Sequence, residues 1–488
     1  MGIFCKNSSS YHEAKSLQKM KISYLYRFKF VIAAATCIAV ASVSVAAQSL
    51  PELWERLSVS EPSLLAAMAQ AQAVAERKNQ TSAEFFPQVT ATSSTTNNNR
   101  NYEVKGATTQ QSAEKFNSHA IQLNVTQSLW KPVSRIAHKQ AEIASDQAVY
   151  QLKAAQHELL GKLVVAWAEA MYANNALQTA LTIEAASSRQ LLTYERGLRL
   201  GLYAMKERDE ASAKNQQSIA ERYAAESELF VKKTALDQLV GFSPNFGVEK
   251  INLQAQKIPF ATLPLLSTFA SAINDYSPSI KVAERALLVA QEEVRKQQAQ
   301  YSPTLDLVAG TGRTGQGSGL TPSQPGFKNR LDTVALQLNV SLYSGGNNAS
   351  KVREAVFLES KASHELDAAK RQALSQARQA WAQLRSTQAK LEVAEQTLVA
   401  GLSAEKLADA GIKNGTKTLL DQLQAKQLVE TARRDAKRAY YDNVIGMSKL
   451  MTATGLIEED TLRDVEQRLK NPSPFNQIPN IEPSMLEK

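Results

Sequence analysis

Residues 141–181 read AEIASDQAVYQLKAAQHELLGKLVVAWAEAMYANNALQTAL. Apolar or small residues recur there at Ala141, Ala144, Ala148, Leu152, Ala155, Leu159 and on to Leu181, in steps of three and four. Such steps average about 3.6 residues and define one face of an α-helix. The same face returns 214 residues downstream, between Ala355 and Leu391, with Trp381 in the register of Trp167. A period this long is too large for a solenoid unit, so the chain reads as two homologous halves.

Flanking segments support the duplication. Pro62-Ser63 matches Pro278-Ser279, Gln122-Leu123-Asn124-Val125 matches Gln337-Leu338-Asn339-Val340, and Gly197-x-x-x-Gly201 matches Gly411-x-x-x-Gly415. The expected boundaries are a signal peptide over 1–47, a first repeat over 48–241, a linker over 242–277, a second repeat over 278–455 and a partly extended C-terminal extension over 456–488. The leader carries basic residues from Lys15 to Lys29, an apolar run from Phe30 to Val45, and Val45-Ala46-Ala47 as the cleavage pattern. Translation from Met20 would give it a more usual length. An N-terminal anchor is the alternative, but the run falls short of the roughly 18 to 20 apolar residues of a spanning helix.

Both cysteines of the chain, Cys5 and Cys37, lie in the leader. The mature chain thus has no thiol for disulfides, catalysis or metal binding. Of the net charge of +9, the leader holds +5, and the remaining +4 is too mild to argue for a nucleic-acid partner. His157-Glu158 lacks a second histidine four residues on, no nucleophile elbow is present, and no cofactor or metal is expected.

In each half a helix precedes two strands. The first runs from Glu61-Pro62-Ser63 to about Glu84, followed by a strand from Gln88 to about Thr96, a flexible loop from Asn97 to about Asn117, and an alternating strand with Ile121, Leu123 and Val125 on one side. The second half offers a helix from Pro278, a strand over Thr304 to Ala309, a loop from Gly310 to Lys328, and a strand from Leu331 to Leu342 with Val334, Leu336 and Leu338 on one face. Gly310-Thr311-Gly312-Arg313-Thr314-Gly315 fits a dinucleotide pattern, yet it runs into further Gly, Ser and Pro instead of opening a helix. Phe85, Phe86, Trp130, Tyr301 and Tyr343 cluster where helix meets strand, as in an interfacial girdle or in ordinary strand-end packing.

Each long helix reaches a glycine pair that turns the chain into a returning helix, Ala204 to Val240 or Thr418 to Thr454. At ~1.5 Å per residue, sixty residues span about 90 Å. Four strands cannot close a membrane barrel, which needs at least about eight, and open strands cannot sit in lipid. Copies of the chain must therefore pool their strands. A soluble periplasmic helical scaffold is the competing reading, although a coiled-coil rod would step at 3.5 with larger residues.

The signal peptide, the two halves ordered helix, strand, loop, strand, long helix, glycine turn, helix, and the segment Gly415-Thr416-Lys417-Thr418-Leu419-Leu420-Asp421 resemble the TolC family of outer-membrane channel-tunnels. The resemblance implies a mostly α protein with a small β part: a homotrimer with a twelve-stranded transmembrane β-barrel, four strands per chain, continued by a long periplasmic α-helical barrel. It implies contact with outer-membrane lipid, no catalysis, and partnership with a periplasmic adaptor (membrane fusion protein) and an inner-membrane ABC transporter or proton-driven pump. The expected role is the exit duct of a type I secretion system, with a multidrug efflux outlet as the alternative. By the same resemblance Lys417 is the linking cation of a periplasmic gate and Asp421 a ring acid, and the matching first-half turn gives Glu207 and Glu210, with Glu207 the expected partner of Lys417. Gln424 stands where members often carry a second acid, and Ile412 where they carry a closing aromatic. Leu200-Gly201-Leu202 and Asn414-Gly415-Thr416 match the adaptor-docking tips. Read from the residues alone, these charges are a solvated helix face and the glycines plain turn chemistry.

Overall fold

The computed structural model describes residues 49–102, 112–244, 273–317 and 326–470. The expected leader, most of the linker and the tail beyond Lys470 lie outside the described residues. In chain order the elements are α1 (Leu50–Ser60), α2 (Pro62–Ser82), β1 (Gln88–Tyr102), β2 (Ser112–Trp130), α3 (Pro132–Arg199), α4 (Met205–Val240), α5 (Pro278–Gln298), β3 (Thr304–Gln316), β4 (Phe327–Asn339), α6 (Asn347–Lys413), α7 (Leu419–Thr454) and α8 (Glu459–Lys470). The fold class matches the mostly helical expectation, with one small antiparallel sheet in the order β1-β2-β3-β4.

The 68 residues of α3 extend about 100 Å at ~1.5 Å per residue. α2 and α4 pack along one flank of α3, α5 and α7 along the other, and α6 lies beyond α5 and α7. Because α3 has neighbours on two sides, its buried surface is wider than the single stripe read from the sequence. Leu160, Val164, Trp167, Ala168 and Met171 are buried beside the expected Leu159, Leu163 and Ala170, whereas Leu181 is exposed. The thickest core lies where the middle of α3 meets the C-terminal part of α7, at Tyr441, Val444, Met447 and Leu450. Each large apolar side chain buried there stabilises by about 1.5–3 kcal/mol. Elsewhere alanine makes the contacts, as between α6 and α7 at Leu398, Val429, Ala432 and Ala436.

Several expectations change. The Leu50 segment is a full helix started by a capping box between Ser49 and Glu52, and α8 packs against it through Trp54 Nε1, which donates to Glu459 Oε1 at 2.9 Å. The strands are longer than expected. Asn97, Asn98 and Asn99 pair with Asn117, Phe116 and Lys115, so β1 continues to Tyr102 and β2 begins at Ser112, in place of the expected loop. Gly310 to Gln316 is likewise strand, paired with β2 and β4, and two of its glycines clear neighbours: a Cβ on Gly310 would sit 2.9 Å from Asn124 Oδ1, and one on Gly312 3.1 Å from Gln122 Cγ. This removes the last ground for a nucleotide loop. β4 runs from Phe327 to Asn339, earlier at both ends than expected.

Where α2 ends, Glu84 fastens the sheet end of α2 to the start of α3. Its Oε2 accepts from Ser134 Oγ at 2.5 Å and from Lys131 Nζ at 3.0 Å. The Ser134 hydroxyl first, and then Lys131, hold the Glu84 carboxyl below its ordinary value of 4.5. A depressed folded-state value means that stability from this group is full above pH 4.5 and is lost as pH falls through the folded value. The Ser134→Ala variant should therefore lose less stability than the parent between about pH 5 and pH 3, read as acid-induced loss of helical ellipticity. Equal acid profiles would remove Glu84 from this role.

Candidate functional site

In an antiparallel ladder directly opposed residues share a face, so the register sorts the sheet into two surfaces. One carries Val89, Val125, Ala309 and Val334 in a row, flanked by Leu307 and Leu336 on one side and Leu123 on the other. Val334 is 77% exposed, Leu336 66% and, just past the strand, Leu342 92%. The opposite surface carries Thr90, Thr92, Asn124, Gln122, Thr333 and Gln337, with Asp306 at its helix-proximal end and the opposed pair Arg100 and Glu114 at its far end. Ser128 donates to Asp306 at 2.5 Å. A sheet that is apolar and bare on one face and hydroxyl- and amide-lined on the other suits lipid outside and water within. Phe86, Trp130, Tyr301 and Tyr343 are exposed at its helix-proximal end. Both outer edges, on β1 and β4, lack a strand partner among the described residues of the chain.

At the far end of the helices the duplication is visible atom by atom. Gly201 and Gly415 have φ of +73° and +70°. Leu202 N–H donates to Gly197 O and Thr416 N–H to Gly411 O, each at 2.8 Å. This is the Schellman closure, in which a left-handed residue ends a helix without a Cβ penalty. The first glycine of each pair clears a side chain. A Cβ on Gly197 would lie 2.2 Å from Tyr203 Cδ2, and one on Gly411 2.4 Å from Lys417 Cγ. Tyr203 is thus the first-half counterpart of Lys417, and its ring meets Tyr194 edge to face at 4.7 Å.

Glu207 and Asp421 also correspond. Glu207 Oε2 accepts from the Ala204 N–H at 2.8 Å, half of a capping box, since alanine returns nothing. Asp421 completes a full one with Thr418, accepting from its N–H and its hydroxyl at 2.9 Å each. The Thr418 N–H first, and then its hydroxyl, hold the Asp421 carboxyl below its ordinary value.

Glu207, Glu210, Thr418 and Gln424 come together in one cleft of about 620 Å³ between the two tips. Tyr194, Tyr203, Lys214 and Gln427 also line it. Sequence reasoning misses the tyrosine pair, although Tyr203 stands at the duplicated position of Lys417. Lys417 and Asp421 lie outside the cleft lining, and among the described residues no ion pair within the chain joins Lys417 to Glu207. Instead Lys206 reaches Glu210 at 3.6 Å. Leu200 and Leu202 are more than 70% exposed at the first tip, while Asn414, Gly415 and Thr416 make the second tip polar. Among the described residues no cluster of His, Cys, Asp and Glu could hold a metal, and no helix is long and apolar enough to cross a membrane.

A model of the outer membrane efflux protein family matches residues 53–242 and 270–456, well over half of the chain and both repeats. The chain is 25% identical to outer membrane protein TolC of Vibrio cholerae over 431 residues, 88% of this chain and 95% of that protein. It is 26% identical to alkaline protease secretion protein AprF of Pseudomonas aeruginosa over 316 residues, 64% of each chain. The fold is similar to that of the CmeC outer membrane channel of Campylobacter jejuni, with a TM-score of 0.68 at 14% identity, over 87% of this chain and 90% of that one. The sided sheet, the duplicated hairpins and a family match spanning both halves converge: the chain belongs to the outer membrane efflux protein family and is an outer-membrane channel protein.

Proposed function

We propose that three copies of this chain close one twelve-stranded barrel, β4 of each pairing with β1 of the next, and that their helices continue the pore across the periplasm as the exit duct of a type I secretion system. The observation that carries this reading is the sidedness of a sheet with two open edges: such a sheet is stable in lipid only when its edges are paired. Between Asp306 at one end and the Arg100–Glu114 row at the other, the water-facing surface is uncharged and rich in hydroxyls and amides. An unfolded polypeptide of either charge can slide along such a wall without being held. Likeness to a protein named for alkaline protease secretion supports the secretion route, with an ABC transporter and an adaptor at the inner membrane and with Leu200 and Leu202 as the apolar half of the adaptor contact. The family's efflux designation favours a second reading, the outlet of a multidrug pump. Deletion of the gene separates the two. Loss of secreted protein with unchanged drug susceptibility supports the duct, and the reverse result overturns it in favour of efflux.

The same reading makes Asp421, Lys417, Gln424, Glu207 and Glu210 the gate. Because Gln424 is neutral, three chains bring three ring acids rather than six. Asp421→Asn keeps an oxygen for the Thr418 cap while removing the charge, and should weaken block by trivalent cations in planar bilayers at least about fivefold, since one close unit-charge contact is worth ~1 kcal/mol even in bulk water. Lys417→Ala should raise resting conductance. Unchanged values in both variants would take these residues out of the gate.

A further inference from the structure

Beyond the apolar belt, at the end of the sheet far from the helices, the belt-side face turns basic. Arg313 on β3 lies directly opposite Arg330 on β4, and Lys328 follows one pleat further on, opposite Gly315. Like charges directly opposed across a ladder destabilise it unless something anionic intervenes. Asp332 supplies part of that: its Oδ2 lies 3.2 Å from Arg330 Nε, and its Oδ1 accepts from Thr311 at 2.5 Å. It is the single acid on this face among the described residues, against three cations at this level. The water-facing side of the same rows holds Gln122, Thr314 and Asn329, with no charge. Cations meant to act on cargo would be on that side.

Depth fits a membrane boundary. The run from Leu342, three residues past the end of β4, back to Arg330 covers at most about 40 Å at ~3.3 Å per residue. At a tilt of ~40° this is about 30 Å along the membrane normal, slightly more than the ~25 Å apolar band of such barrels. The cations therefore stand just past the acyl chains, at the level of lipid headgroups on the side away from the periplasmic helices.

We propose that Arg313, Arg330 and Lys328 form a binding site for the phosphate groups of an outer-leaflet phosphoglycolipid, with Asp332 orienting Arg330. Arginine is suited to this because its planar fork meets two phosphate oxygens at once. The proposal rests on the barrel reading above.

The test uses full-length protein purified from outer membranes in mild detergent and probed by native mass spectrometry with bisphosphorylated lipid A and with the same lipid enzymatically dephosphorylated. The parent protein should retain the phosphorylated form about thirtyfold more strongly, since each Lys or Arg near an anionic lipid surface is worth about fivefold and Asp332 offsets one of the three cations. Arg313→Gln/Arg330→Gln should erase that preference while leaving the heat-modifiable trimer band unchanged. Equal retention of both lipids by a trimeric parent overturns the site and leaves the barrel standing. Equal retention of phosphatidylglycerol and phosphorylated lipid A likewise overturns the glycolipid assignment. A parent protein that stays monomeric and ignores detergent would overturn the barrel reading itself. Because the comparison of two lipids is made on the parent, the outcome stands even if the variant fails to fold.

Discussion

Gly455→Ala should lower stability by about 3 kcal/mol, against about 1 kcal/mol for Gly241→Ala, although the two glycines are duplicates of one another. Each ends the returning helix of its half, α7 and α4, with φ of +78° and +80°. Placing an alanine in that left-handed conformation costs roughly 1–2 kcal/mol at either site. Space separates them. Around Gly241 nothing lies within 4 Å of where an added methyl would stand, whereas at Gly455 a Cβ would come 2.4 Å from Tyr276 O and 2.8 Å from its carbonyl carbon. That obstacle is backbone two residues before α5, so no side-chain rotation relieves it, and overpacking adds a further ~1–3 kcal/mol. The surroundings are equally closed, since Thr454 and Ile457 are fully buried. Heating of the two purified variants in detergent, followed by helical ellipticity, checks the ordering. Equal shifts would mean that the second half has more slack around α5 than its atoms indicate.

The difference between those duplicated glycines also shows what a one-dimensional reading reaches. Helix positions and the doubling are legible because period and repeat are local quantities. The Trp167 and Trp381 registers, the Gly197/Gly411 turns and the two sheet faces all follow from spacing. Strand length is not legible. Asn97 to Asn99 and Gly310 to Gly315 have the composition of loops, and what makes them strand is a partner across the sheet: Ser118 receiving Asn98 Nδ2 at 2.8 Å, Asn124 and Gln122 lying over glycines. α1 and α8 escape the sequence for a similar reason, since neither is long enough to stand without the other, even though Ser49-x-x-Glu52 announces a helix start. At the tips the sequence supplies the residues but not their company. Glu207 and Asp421 are both helix caps, a role that the acid three residues after Ala204 or Thr418 could have disclosed, while the Tyr194–Tyr203 pair needs the fold of the turn to appear.

Tyr441→Ala should be among the most damaging single changes in the chain, costing about 4 kcal/mol, and Tyr441→Phe about 1 kcal/mol. Tyr441 is 1% exposed on α7 and meets α3 of the other half. Its hydroxyl accepts from Asn175 Nδ2 at 3.1 Å, and the same amide nitrogen donates to Met171 O at 3.0 Å, while Lys437 Nζ reaches Asn175 Oδ1 at 3.1 Å. Truncation to alanine leaves a cavity the size of a ring, for which aromatic deletions cost ~3–5 kcal/mol. Removing the hydroxyl alone leaves Asn175 its backbone acceptor, and the hydrogen bond from Asn175 that is lost is worth about 1 kcal/mol. One turn away the halves are clasped a second time. Arg438 holds Glu169 with both terminal nitrogens at 3.2 Å, stacks over Tyr172 at 4.6 Å, and shares Glu169 with Lys232 of α4. Glu169 therefore joins α3 to both returning helices. Being partly exposed, the pair is worth less than a fully buried one, and a Glu169→Ala/Arg438→Ala cycle should give a coupling of about 1–2 kcal/mol. The Tyr441 and Arg438 contacts should be coupled, since the Tyr172 ring meets Tyr441 edge to face at 6.3 Å and also lies under the Arg438 guanidinium. If Tyr441→Phe proved as costly as Tyr441→Ala, the hydroxyl network and not ring packing would be what joins the two halves of the repeat.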